Sequence, residues 1–285
     1  MRINHNVPSM VTQGSLYKAN AALSKSLTRL STGLRINSAS DDAAGLAISE
    51  NLRTQITGAS QAQKNAQDGI AALNIAEGAA NEISSVLQRM RELSVQAAND
   101  TLTSVERGYT NQEFTSLRSE IDRIAAVTNY NNMGLISSGG ARFGAVGVST
   151  GNVLWIDANH TVGVDSITIS ISTMTSATIS AASFATRTLS TQLEAQSAIS
   201  ELDTAINSVN TMRSGIGAYI NRLEHAINNL MVSETNQTAA ESLIRDVDFA
   251  TETSNFAKNQ ILMQSATAML AQSNVLPNSV LTLLK

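Results

Sequence analysis

The chain has 285 residues, a formal net charge of −4, 42% hydrophobic but only 4% aromatic content, and no cysteine. That length allows one or two domains with a real core, and the shortage of aromatics suits long thin bundles of Ala, Leu and Ile better than a thick interior around a wide cleft. Scattered Lys and Arg with no basic run argue against nucleic acid or membrane as partners, and the lack of cysteine removes disulfides, thiolate metal sites and thiol nucleophiles.

The opening residues, Met1-Arg2-Ile3-Asn4-His5-Asn6, are too polar for a secretory leader, and no apolar run approaches the roughly 18 residues of a spanning helix. An exported chain is therefore expected to leave without a cleaved signal. A heptad stripe follows at Leu16, Leu23, Leu27, Leu30 and Leu34. A second closes the chain at Leu262, Ala266, Met269, Ser273, Leu276, Val280 and Leu283, with Pro277 expected to kink or restart that helix. Isolated helices of this length are marginal in water. The two stripes are expected to pair with each other or with those of other copies.

Between them, one very long helix is predicted from about Asp42 to Ala98, its seam being Leu52, Ile56, Ala59, Ala66, Ile70, Leu73, Ala76, Ala80, Ile83, Leu87 and Met90. Thr103 with Glu106 forms a capping-box match that opens a second helix, to about Thr128, with Phe114, Leu117, Ile121 and Ile124 on its face. From Asn129 the period shifts. Gly139-Gly140 punctuates, Val162 and Val164 follow, and Ile167, Ile169 and Ile171 alternate with Thr168, Ser170 and Ser172 as a strand with one buried face. The Ser- and Thr-rich stretch Thr173 to Thr191 reads as loop. Thr191 with Glu194 opens a third helix, to about 232, in which Ile199, Leu202, Ile206, Val209, Ile216, Ile220, Leu223, Ile227 and Leu230 keep heptad spacing and Arg213 interrupts. Thr238 with Glu241 reads as the start of the last helix. The fold predicted is mainly α: a long antiparallel coiled-coil-like bundle, or rod, with a small β insert and with the N- and C-termini paired at one end.

The chemistry-bearing residues do not assemble into a site. His5, His160 and His225 lie far apart and outside any His-Glu-x-x-His pattern, so neither a metal nor a cofactor is expected. Asp41-Asp42 suits a helix cap better than an acid–base pair, because adjacent residues on a helix point apart. Gly144 and Gly147 lack the Lys-Ser/Thr of a phosphate loop. The sequons at Asn99, Asn159 and Asn236 are near chance, and the Ser and Thr cluster from Ser166 to Thr191 reads as solvent-facing strand and loop before O-linked sugar. No catalytic set is expected, and the chain is not read as an enzyme.

The segments Leu30-Ser31-Thr32-Gly33-Leu34-Arg35-Ile36-Asn37 and Asp41-Asp42-Ala43-Ala44-Gly45-Leu46-Ala47-Ile48-Ser49 carry a resemblance. So do Leu87-Gln88-Arg89-Met90-Arg91-Glu92-Leu93 and the ending from Ala250-Thr251-Glu252 through Gln260-Ile261-Leu262 and Leu270-Ala271-Gln272 to Leu283-Leu284. Over residues 1 to about 137 and about 190 to 285 the chain resembles the bacterial flagellins, in a short form without large outer domains. It departs from them near Phe143-Gly144-Ala145-Val146-Gly147, where the family's Phe-Gln-Ile-Gly is replaced. The resemblance implies that residues 1–44 and 246–285 are the two halves of an inner-core helical domain and that 45–245 form an outer rod domain, with helices at about 45–98, 104–128 and 191–232 and an insert at about 129–190. It implies an extracellular flagellar filament subunit for swimming motility, exported by the flagellar type III route. The implied partners are further copies of itself, an export chaperone, the filament cap and hook-junction proteins. Subunit packing is expected at Leu23, Leu27, Leu30, Leu34, Leu262, Ala266, Met269, Leu276, Val280 and Leu283. Gln88, Arg89, Leu93 and Glu113 match the patch that Toll-like receptor 5 reads in many flagellins. The alternative is a hook–filament junction protein, which shares the terminal helices but is typically longer in its middle.

Overall fold

The computed structural model describes residues 5–137, 153–157, 165–180 and 184–283, those from 276 onward as backbone only. Gly139-Gly140, the Phe143 to Gly147 segment, Asn159, His160, Val162 and Val164 lie outside the described residues, as do the side chains of Leu276, Val280 and Leu283. In chain order the elements are α1 (Val7–Thr32), α2 (Ala43–Ala97), α3 (Ser104–Val127), β1 (Asn129–Tyr130), β2 (Met133–Gly134), β3 (Val153–Trp155), β4 (Ser166–Thr168), α4 (Ser176–Ile179), a 3₁₀ turn (Phe184–Thr186), α5 (Gln192–Arg245) and α6 (Phe249–Leu283). The chain divides into two compact units, Gln55–Glu234 and the two flanks Met1–Thr54 with Thr235–Lys285.

The central unit has one apolar core. Leu73, Ala76, Ala80, Ile83, Leu87 and Met90 bury completely along α2, in steps of three and four. Facing them in the same core are Leu202, Val209, Ile216 and Leu223 of α5, and Phe114 and Ile121 of α3. Several expected seam residues, Ile199, Ile206, Ile220 and Ile227, are only half-buried, while Ala195, Ala198 and Ala205 share the fully buried positions of α5 with Leu202, Val209 and Leu223. Small side chains let the backbones approach, and the larger Ile side chains fill the flanks. Arg213 does not break the seam: its Nη2 lies 2.9 Å from Glu77 Oε1, which ties α5 to α2 at the surface.

Both capping boxes form. Thr103 N–H donates to Glu106 Oε2 at 2.7 Å, and Thr191 N–H donates to Glu194 Oε2 at 3.1 Å. β1 and β2 make a hairpin whose two loop residues, Asn131 (φ 49°) and Asn132 (φ 61°), are both left-handed, the geometry of a two-residue turn that follows sheet twist. β3 pairs antiparallel with β4, with Leu154 opposite Ile167. A Cβ on Gly69 would press on Leu154, so the glycine lets this hairpin lie against α2.

Three expectations are corrected. Ile167, Ile169 and Ile171 bury on alternate positions as read, but only Ser166–Thr168 is paired strand; the rest is held by packing and by Met174 N–H donating to Ile136 O at 2.9 Å. The stretch read as loop after Thr173 also holds α4 and the 3₁₀ turn, whose Phe184 is buried. The helix expected to end near 232 and restart at Thr238 instead runs unbroken to Arg245. The restart comes later, where Asp248 caps α6 by accepting from the N–H groups of Ala250 and Thr251 at 3.0 and 3.3 Å. Thr and Glu three apart are tolerated inside a helix as well as at its start, so that pattern alone does not place a boundary.

Candidate assembly surface

The flanking unit is built from α1 laid against α6. On α6 the buried or half-buried positions are Glu252, Phe256, Asn259, Met263, Ala266, Leu270 and Ser273, a strict alternation of fours and threes. On α1 they include Ser9, Thr12, Leu16, Ala19, Leu23, Ser26 and Leu30. The seam is small and partly polar. Asn6 Nδ2 donates to Ser273 O at 3.0 Å, and Ser9 Oγ donates to Asn274 Oδ1 at 2.8 Å. It therefore differs from the stripe expected on α6: Met263 and Leu270 face α1 where Leu262 and Met269 were expected to. Ranking positions by apolar character misses a seam lined with Ser, Thr and Asn. The expected packing residues separate into two groups, with Leu23, Leu30, Leu34 and Ala266 half-buried and Leu27, Leu262 and Met269 left to solvent.

A short junction organises the same unit. Gly33, at φ 73°, ends α1 in the left-handed conformation with its N–H donating to Arg29 O at 2.9 Å, a geometry that favours glycine. Gly33 to Arg35 then pair antiparallel with Arg245 to Val247, through Arg35 N–H to Arg245 O at 2.7 Å and Val247 N–H to Gly33 O at 3.0 Å. The Arg35 guanidinium donates to Ile244 O, and Arg245 Nη1 lies 2.7 Å from Glu50 Oε1. Asp42 caps α2 by accepting from Gly45 N–H at 2.9 Å, and a Cβ on Gly45 would collide with Asp42 and with the buried Ile36.

Asp41 has a different task. Its carboxylate accepts the N–H groups of Asn37 and Ser38 and lies 2.6 Å from Lys25 Nζ. The Lys25 hydrogen bond holds its pKa down to about 2, against an ordinary 3.8. A depressed carboxylate stabilises the fold fully above its ordinary pKa, and that contribution fades as the pH falls through about 2. A carbon-detected NMR titration should therefore place the Asp41 midpoint near 2 in the native chain and back in the ordinary carboxylate range in Lys25→Met. A native midpoint near 4 would contradict the ion pair.

Both terminal helices leave large apolar side chains exposed among polar ones. On α1, Val7, Met10, Val11, Tyr17 and Leu27 are exposed, Tyr17 by 78%. On α6, Phe249, Ile261, Leu262, Met269 and Val275 are exposed, the least of them Leu262 at 47%. Between the two helices lies a groove of about 510 Å³ lined by Thr12, Ser15, Ala19, Ala22, Leu262, Ala266 and Met269, among others. Single exposed apolar residues are normal, but stripes of this kind on two adjacent helices mark a contact surface.

In the central unit the four receptor-patch residues do not all reach solvent. Gln88 is exposed, and Arg89 bridges α2 and α3 by donating from Nε and Nη2 to Glu113 Oε1 at 3.0 and 2.9 Å and from Nη1 to Glu92 Oε2 at 3.0 Å. Leu93, by contrast, is buried in the core. Arg91, unassigned by the sequence, pairs with Asp203 of α5 at 2.7 Å. Among the described residues no cluster of three or more His, Asp or Glu side chains could hold a metal ion, and no helix is long and apolar enough to cross a membrane.

Residues 3–139 match the family model of the bacterial flagellin N-terminal helical region, and residues 199–284 that of the flagellin C-terminal helical region. The chain is 43% identical over 290 residues to flagellin FlaB2 of Treponema pallidum and 42% identical over 306 residues to a flagellin of Bacillus subtilis, with all of each chain covered in both cases. The fold is similar to that of a putative flagellar hook-associated protein from Vibrio parahaemolyticus, at a TM-score of 0.54 and 18% identity over 72% of this chain and 99% of that one.

Proposed function

The chain belongs to the bacterial flagellin family, and on that premise we propose that it is the structural subunit of an extracellular flagellar filament, a helical homopolymer that grows by contacts between the terminal helices of successive copies. One observation carries this reading: the apolar stripes left on the outward faces of α1 and α6. Each Leu or Ile buried on assembly contributes about 1.5–3 kcal/mol. The same contacts repeated by an operator that does not close make an open polymer. In this reading residues 1–44 and 246–285 form the inner core and 45–245 the outer domain. The chain leaves by the flagellar type III route, with a chaperone on the C-terminal segment, a cap at the growing tip and hook-junction proteins at the base.

The rival role, a hook–filament junction protein, shares the terminal helices. It differs in ending polymers and not extending them. Incubating the purified chain with short filament seeds and sedimenting the product separates the two: a filament subunit moves into the pellet in proportion to the free protein, whereas a junction protein saturates at one layer per seed end.

A second reading rests on the exposed Arg89, held between Glu92 and Glu113 beside exposed Gln88. This surface is a contact for Toll-like receptor 5, in which Leu93 supports the patch from beneath. Arg89→Ala is expected to lower receptor signalling while leaving the thermal unfolding midpoint in place, since solvent-exposed ion pairs contribute little to folding. Unchanged signalling from correctly folded Arg89→Ala would remove the receptor reading.

A further inference from the structure

Sulfur in this chain is confined to methionine, because there is no cysteine. The methionines sort by environment. Met90, Met174 and Met212 are buried in the core of the central unit, whereas Met10, Met231 and Met269 are exposed by 66, 52 and 59%. Of these three, exposed among the described residues, two lie on the assembly surface. Met10 stands on α1 beside Val7 and Val11, and Met269 lines the groove between α1 and α6 with Leu262 and Ala266.

We propose that Met10 and Met269 are oxidation sites that gate assembly: a hydroperoxide converts them to sulfoxides in the free subunit and thereby blocks its addition to a polymer. The proposal rests on the filament reading above. In the chemical step the thioether sulfur attacks the terminal oxygen of the peroxide, the O–O bond breaks and an S–O bond forms. Sulfur loses two electrons, each peroxide oxygen gains one, and with hydrogen peroxide the proton of the attacked O–H passes to the departing hydroxide, which leaves as water. The product is a polar, chiral side chain where a flexible apolar one stood. A sulfoxide in the groove keeps its water or demands a donor. Leu262, Ala266 and Ala19 line the groove beside Met269, and its polar groups are those of Thr12, Ser15, Ser265, Asn259 and Lys18, of which Thr12 is already engaged with Pro8 O and Ser9 O. A contact that must shed water there is penalised. Once a copy is assembled the same sulfurs are covered, so oxidation acts on subunits before incorporation and spares the finished polymer.

The test treats the full-length monomer with hydrogen peroxide, maps sulfoxides by peptide mass spectrometry and measures seeded elongation by sedimentation. Sulfoxide should form first at Met10, Met231 and Met269 and last at Met90, Met174 and Met212. The oxidised wild type should stop adding to seeds, and methionine sulfoxide reductase should restore addition. In the double variant Met10→Leu, Met269→Leu the elongation after peroxide, taken as a ratio to the same variant untreated, should stay near one, whereas Met231→Leu should give no protection. Met10→Gln with Met269→Gln, which places a polar group at each site without any oxidant, should elongate poorly. Normal elongation by fully oxidised wild type overturns the proposal, as does loss of elongation in the peroxide-treated Leu double variant. Failure of the untreated wild type to elongate overturns the filament reading itself, a separate result that is visible before any oxidant is added.

Discussion

Deleting Leu276 to Lys285 should abolish seeded filament growth while leaving the unfolding of the central unit unchanged. The exposed residues Leu262 and Met269 of α6 are followed in sequence by Leu276 and Leu283, each seven residues after the last, with Val280 between. A seven-residue step is nearly two helical turns and drifts by only ~20°. The helical backbone of α6 continues through Pro277 to Leu283, so the seven-residue spacing is expected to extend the stripe. Of the five large apolar residues in this segment, removing the three at stripe positions, Leu276, Val280 and Leu283, takes on the order of 5 kcal/mol from each subunit's contacts by area. A weak repeated contact cannot absorb that loss. The central core, from Leu73 to Met90 on α2 and from Leu202 to Leu223 on α5, contains none of the deleted residues. Circular dichroism should therefore show the main thermal transition in place, with an empty pellet after seeding. Normal filaments from the truncated chain would overturn the role assigned to this stripe.

Phe114→Ala should have the opposite profile and weaken the central unit itself. Phe114 is fully buried and meets Phe184 edge-on, with ring centroids 6.3 Å apart and planes at 74°. Few aromatic residues are present to fill space, and the void would open among fully buried core residues such as Leu87, Ile121 and Leu202. Truncations of this kind cost about 3–5 kcal/mol. For a unit of this size each kcal/mol lowers the melting temperature by roughly 2–4 °C, so a fall of roughly 10 °C is expected. Leu193→Ala, at an exposed position of α5, should leave the midpoint unchanged. A Phe114→Ala midpoint within a degree or so of wild type would mean that this aromatic pair does not organise the core.

How legible the fold was in the sequence depended on how the apolar signal is carried. The long helices were plain, because Leu, Ile and Met recur on one face for many turns and because two capping boxes carry their own hydrogen bonds. Inside those helices the deepest residues of α5 were missed wherever alanine does the packing, as at Ala195, Ala198 and Ala205: alanine is helical everywhere and so marks no face. The α1–α6 seam was misread by one position for a related reason, since Ser9, Ser26, Asn259 and Ser273 hold the inner face while Leu27, Leu262 and Met269 look outward. For a protein whose outward faces are themselves apolar, the most hydrophobic stripe belongs to the contact between copies. The junction was legible only in part. Asp42 was a visible cap, but the pairing of Gly33 to Arg35 with Arg245 to Val247 joins segments about two hundred residues apart, beyond the reach of any local pattern. The Asn131-Asn132 turn follows from the tolerance of Asn for positive φ, a weaker sequence signal than the later glycines.

The central claim is that other copies of this chain cover the outward faces of α1 and α6. A chain without cysteine allows that to be measured one position at a time. Leu262→Cys places a lone thiol on the stripe, and its rate of reaction with a small maleimide can be compared in the free subunit and in sedimented polymer. The account predicts rapid labelling of the monomer and strong protection in the polymer; equal labelling of both, or no polymer to label, would contradict it.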